Sequence, residues 1–369
     1  MKKILIIIGK LTIGGAEKVG RDLGYYADKN EFDIHYLVFG DEIGAYEAEL
    51  EEKGCRIIHM PPPSVSYKAY YDGLKKLIAT EKYDVIHSHT MFNSGWAMMA
   101  GKACGVPVRI AHSHSIRGPE KRGVVKNTYE KTMRKLILHY ATHLVACGHS
   151  AGEWLYGKNA FADRGLLIYN GIGLDEFAYD ENARNKIRGE YGLEGKFVIG
   201  HVGHLAPVKN QSFLIGMMPE ILKIRPEAVL LLLGEGNDRE MLQKKIVELG
   251  LEKNVIMTGN VSNVGEFMSA MDVFAFPSLY EGMPLAMVEA QTNGLPCIIS
   301  DRIPKDVHLT ELVTALSIED SEGCWIEKLC GAERNMPESY AEKMREMGFD
   351  TSGMTQRIYE LYRGKNNEA

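Results

Sequence analysis

The sequence lacks long apolar runs, paired-cysteine motifs and a strong excess of either charge. No stretch of its 369 residues approaches the roughly 20 apolar residues of a membrane-spanning helix, which excludes a helical span. The opening residues, MKKILIIIG, place only five apolar residues between the two lysines and Gly9, short of the apolar core of a secretory signal. Six cysteines stand at positions 55, 104, 147, 297, 324 and 330 with no C-x-x-C pair, and Cys55, Cys147 and Cys297 sit inside apolar runs. That spacing argues against structural zinc and against a disulfide framework, and predicts buried, reduced thiols in a cytoplasmic protein. A net charge of −6 argues against a dedicated nucleic-acid binder. Internal repeats, low-complexity tracts, a D-x-D motif and a G-x-G-x-x-G after either candidate first strand are also absent.

What is present is ordinary globular material: 45% hydrophobic and 25% charged residues exclude disordered and fibrous classes. At about 150 residues per domain, the length favours two domains. Short apolar runs at 3–9, 33–38, 55–60, 83–89, 106–113, 143–148 and 166–171 read as buried parallel strands separated by amphipathic helices. A looser stretch, NGIGLDEFAYDENARNKIRGEYGLEG, reads as a connection followed by a short helix. The pattern then restarts at 196–203, 228–234, 254–259, 272–278 and 295–300, and beyond 305 helical patterns dominate. Two doubly wound sheets in tandem are expected to face a cleft at the carboxyl ends of their strands, where open α/β sheets bind ligands.

Three motifs fall at such strand ends. Gly14 and Gly15 follow the first strand and open a helix, whose free N–H groups suit a phosphate. In PSLYEGMPLAMVEAQTNG, Glu281 precedes a helix expected over 284–293 with Pro284 in its first turn, and Glu289 lies within it. Eight residues put the two carboxylates on the order of 12 Å apart, too far to flank one glycosidic bond. The layout matches a ligand with hydroxyls at both ends and an anion between them, as in a nucleoside diphosphate sugar. The helix start near Gly282, Met283, Pro284 and Leu285 would meet the diphosphate. The third motif is HVGHLAPVKN, where His204 closes a strand and Lys209 is expected at the start of the next helix, a position that favours an anion beside it.

In this order the pieces resemble the GT-B glycosyltransferases, and glycosyltransferase family 4 in particular. The resemblance spans nearly the whole chain. It comprises the glycine pair, a strand-end histidine, the N-G-I turn at 170–172, a G-x-L-x-x-x-K strand end and E-x7-E, the most specific of them. It implies an α/β protein of two Rossmann-like parallel-sheet domains, residues 1–169 and 170–345, with a C-terminal helix at 346–369 crossing back to the first domain. It implies a retaining, metal-independent glycosyltransferase that binds its donor chiefly through the second domain and needs no cofactor. Lys209 then resembles the family's diphosphate lysine, Glu281 its donor-sugar ligand, Glu289 its ribose ligand and Gly15, beside Gly14, its N-terminal contact to the diphosphate. Two positions depart from the pattern: His204 stands where arginine is usual, and Gly173 where aspartate usually follows N-G-I.

Histidines cluster in HSHT (His87, His89) and HSHS (His112, His114). A family histidine at the second of these places meets the transferred sugar; counting from Pro107 does not separate His112 from His114, and His114 is the candidate adopted. The catalytic set expected is therefore His114, Lys209 and Glu281. The segment 115–140 carries seven basic residues, including Arg117, Lys121, Arg122 and Lys126, against two glutamates. Beside Tyr129, Leu136, Ile137 and Leu138 it fits an anionic membrane surface or a pyrophosphate-linked lipid acceptor. The expected function is transfer of a sugar from a nucleotide-sugar donor, UDP-linked, to a glycan or lipid-linked oligosaccharide during polysaccharide assembly, at the inner face of the plasma membrane. The rivals are a nucleotide-sugar 2-epimerase of the same architecture and a non-catalytic sugar-binding protein.

Overall fold

The computed structural model describes residues 1–12, 14–114, 123–319, 321–334 and 340–364. Its contacts divide the chain into two units, 1–171 with 350–369, and 172–349. The first boundary falls two residues after, and the second four residues after, those expected at 169 and 345.

The first unit holds a seven-stranded sheet made of β1 (Lys2–Ile7), β2 (Phe32–Phe39), β3 (Arg56–Met60), β4 (Val85–Ser88), β5 (Val108–Ser113), β6 (His143–Ala146) and β7 (Gly165–Leu167). Every pairing is parallel and the strand order is β3-β2-β1-β4-β5-β6-β7. Strand alternation explains the unbroken apolar run of β1: Leu5 and Ile7 enter one core layer while Ile4 and Ile6 enter the layer on the opposite face. Each such fully buried aliphatic side chain contributes about 1.5–3 kcal/mol.

The helix Thr351–Arg363 completes this unit. Asp350 caps it by accepting from the Gly353 N–H at 2.7 Å, and Met354, Ile358, Leu361 and Tyr362 recur at helical spacing to join the core around β1 and β2. Arg363 closes the end with an ion pair to Glu31.

The second unit repeats the plan with β8 (Phe197–Val202), β9 (Ala228–Leu233), β10 (Val255–Gly259), β11 (Val273–Phe276), β12 (Cys297–Ser300) and β13 (Val313–Leu316), in the order β10-β9-β8-β11-β12-β13 and again parallel. Strand β13 was not expected from sequence. Val-Thr-Ala-Leu is a short, half-exposed edge with no apolar run, so its strand character comes from pairing with β12. None of the six cysteines forms a disulfide; Cys147, Cys297 and Cys330 are buried, whereas Cys55 is only partly so. Burial pushes the Cys55 thiol up to about 11.

Candidate functional site

In each unit the strand order reverses once, between β1 and β4 in the first and between β8 and β11 in the second. Loops leaving the two strands at such a reversal run in opposite directions and open a crevice at the carboxyl edge. The candidate residues of the second unit gather there. After β8, Pro207–Lys209 forms a single tight turn, and Asn210, at φ +58°, separates it from the helix Gln211–Ile224. Lys209 therefore sits before that helix instead of opening it, because Asn210 accepts the left-handed conformation that interrupts helical continuity. After β11, the loop containing Glu281 is pinned to this turn by the Leu279 N–H, which donates to the Val208 carbonyl at 2.8 Å.

Lys209 Nζ donates to Glu281 Oε1 at 2.6 Å, and both side chains are largely sheltered from solvent. The ammonium also lies 5.1 Å from the Phe276 ring centre. An ammonium carries three donors, so this lysine holds Glu281 and retains N–H groups for an anion. Beneath it, buried His201 donates from Nδ1 to the Ala275 carbonyl at 2.9 Å, while Gln211 lies 3.3 Å from its Nε2 and donates to the His204 carbonyl at 3.0 Å. Burial lowers His201 to about 4, helped by Lys209 and opposed by the Ala275 bond. His204 itself is exposed. Neither His201 nor Gln211 was singled out from sequence; the only available sign was their position either side of the turn.

The helix near Glu281 runs from Leu285 to Thr292 with Pro284 as its cap residue, one position later than expected. Gly282 and Met283 lie in the preceding loop, and Glu289 is in the fifth helical position, half-buried. The first turn presents N–H groups that the helix itself does not use. On the other side, Gly234 and Gly236 follow β9 so closely that a Cβ on either would fall 2.2 Å from a carbonyl oxygen, of Gly203 and Leu205 respectively. These glycines let the His204 loop lie against the sheet edge.

In the first unit, Gly14 caps the helix Gly15–Tyr25, and Gly15 is exposed at its start. The four histidines are all buried and stack at the ends of β4 and β5. His114 Nδ1 lies 3.3 Å from Asn170 Oδ1, and its Nε2 lies 2.7 Å from His89 Nδ1, so both its nitrogens are engaged. His87 bridges Tyr362 Oη, at 2.8 Å, and His112 Nδ1, at 3.1 Å. The Nε2 atoms of His89 and His112 are buried without a partner among the described residues. Burial lowers all four rings, His114 to about 4. Asn170 had been noted only as part of the N-G-I turn, and Tyr362 not at all.

The basic segment differs from the expected patch. Arg117, Lys121 and Arg122 lie outside the described residues. In the helix Val124–Tyr140, Arg134 turns inward and donates to the carbonyls of Trp154 and Leu155, while Ile137 is core and Tyr129, Leu136 and Leu138 pack against it. Lys126, Lys131 and Lys135 are exposed, and the apolar residues beside them at the surface are Val124 and Val125, 82% and 84% exposed. No helix among the described residues is long and apolar enough to cross a membrane.

Comparison with known proteins agrees with this organisation. The family model for glycosyl transferases group 1 matches residues 183–321, and that for glycosyltransferase family 4 matches residues 13–176. EpsF of Bacillus subtilis (strain 168), named as a glycosyltransferase, is 31% identical over 369 residues, covering 98% of this chain and 96% of its own. CapH of Staphylococcus aureus, named as a capsular polysaccharide biosynthesis glycosyltransferase, is 25% identical and covers 99% of both chains. The crystal structure of Anabaena HepE in complex with UDP-glucose shares the fold at a TM-score of 0.76 and 22% identity, covering 99% of this chain and all of that one. Two parallel sheets of the same order, the family models along both and a relative aligned end to end make this chain a member of the GT-B glycosyltransferases of family 4.

Proposed function

We propose that this glycosyltransferase moves a sugar from a UDP-linked donor to a hydroxyl of a glycan or lipid-linked oligosaccharide in capsule or exopolysaccharide assembly, retaining configuration at the anomeric carbon. The observation that carries the proposal is the Lys209–Glu281 pair at the β8/β11 reversal. The UDP-glucose complex of HepE and the capsular role in the name of CapH support the choice of donor and pathway class.

In this reading Lys209, the N-terminus of the helix Leu285–Thr292 and His204 hold the departing diphosphate. Lysine and helix dipole then supply the charge stabilisation, and no metal is required at the diphosphate. Glu281, already oriented by Lys209, accepts from the sugar hydroxyls, and Glu289 from the ribose. Glu281 is engaged by a cation and poorly suited to attack carbon, which favours a same-face transfer assisted by the leaving phosphate. The protein would work in the cytoplasm, at the inner face of the membrane that carries its acceptor.

A thermal-shift screen against nucleotide sugars tests the donor, since a ligand specific for the native fold raises its stability by mass action. A UDP-sugar should raise the melting temperature in the presence of EDTA, and the anomeric proton of the product should keep the donor's configuration by NMR. An inverted product or a strict metal requirement would overturn the mechanism, and donor consumption without acceptor would point to epimerisation.

A further inference from the structure

We propose that His87, His89 and His112 form a binding site in the first unit for a divalent transition ion of the zinc class. One ring nitrogen of each lies within 4.8 Å of those of the other two, and all three rings are buried. The residues come from the ends of the adjacent strands β4 and β5, so the backbone ladder fixes their spacing: His87 pairs with Ile110 and is one residue short of Ser88, which pairs with Ala111.

Hydrogen positions follow from the partners. An amide oxygen only accepts, so with Asn170 Oδ1 facing His114 Nδ1 the hydrogen of neutral His114 is on Nδ1 and its Nε2 is a lone pair. His89 Nδ1 must then donate to it, and His89 Nε2 is left as a bare lone pair with no partner among the described residues. In the second relay the Tyr362 phenol can donate or accept; with an ion on His87 Nε2 it accepts from His87 Nδ1, and His112 Nε2 is the second buried ring nitrogen with no partner among the described residues. Two buried ring nitrogens with no partner are costly in a purely structural cluster. They offer two ligands, and His87 Nε2 supplies the third once an ion displaces its hydrogen bond with His112 Nδ1.

Neutral imidazole suits zinc, cobalt and nickel, and the burial that keeps these rings neutral removes the competition from protons. Tetrahedral bonds of about 2.0–2.1 Å place ligand nitrogens about 3.3 Å apart, so the rings need draw together by no more than about 1.5 Å. The outer partners that orient ligating histidines are already present: Tyr362 behind His87, and His114, steadied by Asn170, behind His89. Three protein nitrogens leave a fourth position for water. The site involves neither Lys209 nor Glu281 and stands whether or not the donor reading does.

The test uses the untagged full chain, stripped with a chelator and titrated with Co²⁺ while the visible spectrum is followed. One equivalent should bind with an intense tetrahedral-type band, and His89→Gln and His112→Gln should each weaken binding at least tenfold. His149→Gln, an exposed histidine outside the cluster, should not change it. No such band, or a band that survives both substitutions, overturns the proposal. X-ray absorption of the zinc-loaded wild type avoids any folding defect of the variants: imidazole nitrogens in the inner shell are expected, and a shell of oxygen alone overturns the site.

Discussion

Lys209 Nζ lies 2.6 Å from Glu281 Oε1, joining the loop after β8 to the loop after β11 at the one place where the strand order of their sheet reverses. The pair either serves only to brace two loops or presents two groups to one ligand, and a double-mutant cycle separates these roles. Lys209→Ala and Glu281→Ala should each lower kcat/KM at least a hundredfold, about 3 kcal/mol of transition-state stabilisation. If each touches the donor, the double variant loses more than either single one. Equal losses in all three would reduce the pair to a brace, and near-normal turnover in either single variant would remove it from the site.

The glycines after β9 should be as sensitive as charged residues. A Cβ at Gly236 would sit 2.2 Å from the Leu205 carbonyl oxygen, and Gly234 adds a φ of +131°, which side chains rarely adopt. Neither clash is with a flexible side chain, so the loop bearing His204 must move. Gly236→Ala is expected to lower stability by about 1–3 kcal/mol and to raise the KM for donor more than it lowers kcat. Gly14→Ala is the contrasting case, because its nearest neighbour is the mobile carboxylate of Glu17. Denaturation midpoints with steady-state kinetics on both variants check the contrast.

The same contrast explains what the sequence made legible. Apolar runs located every strand except β13: a strand buried on both faces, such as β9, is apolar throughout, and the exposed edge β3 still carries Ile57 and Ile58, whereas Val313–Leu316 is a half-exposed edge with no apolar run. Glu281 and Lys209 were visible because charged residues beside Gly and Pro at a strand end have few structural reasons to be there. The partners of the histidine stack were not, since Asn170 and Tyr362 reach His114 and His87 from 56 and 275 residues away. Local pattern carries no register for such contacts. Arg134 shows the converse: a count of basic residues along 115–140 cannot tell an arginine whose guanidinium is spent on the Trp154 and Leu155 carbonyls from one facing solvent.

Acid should unfold each unit through its buried histidines. His114 in the first unit and His201 in the second are held at about 4 by burial, against about 6.5 in an unfolded chain. Between these values the unfolded state binds a proton that the native state does not, so stability is complete at neutral pH and falls as pH drops from about 6.5 towards 4. At pH 5 each contributes a loss of about 2 kcal/mol. Burial lowers His87, His89 and His112 as well, which steepens the dependence in the first unit. Denaturant midpoints from pH 7.5 to 4.5 should fall for both units, and His201→Gln should flatten the curve of the second unit alone. A midpoint independent of pH over that range would mean that the rings are solvated.

The surface of the helix Val124–Tyr140 makes the membrane reading specific. With Arg134 and the leucines turned inward, what faces solvent is Val124 and Val125 at the N-terminal turn, with Lys131 and Lys135 following Val124 and Thr128 along one stripe. Two valines this exposed at a helix start bury their methyl groups if the helix end dips into a headgroup layer, while the lysines stay at the level of the phosphates. A lysine near an anionic surface is worth about 1 kcal/mol, so Lys131→Ala with Lys135→Ala should weaken binding to phosphatidylglycerol vesicles roughly thirtyfold. Salt should weaken the wild type in the same direction, because charges at the surface are screened within about 8 Å at physiological ionic strength. Val124→Ser with Val125→Ser should weaken binding too, but the loss should persist at high salt, since it is apolar area that is removed. Vesicle co-sedimentation at two salt concentrations reads all three variants. Binding that the valine change leaves intact would make the contact purely electrostatic, and no binding at low salt would remove the membrane from the account.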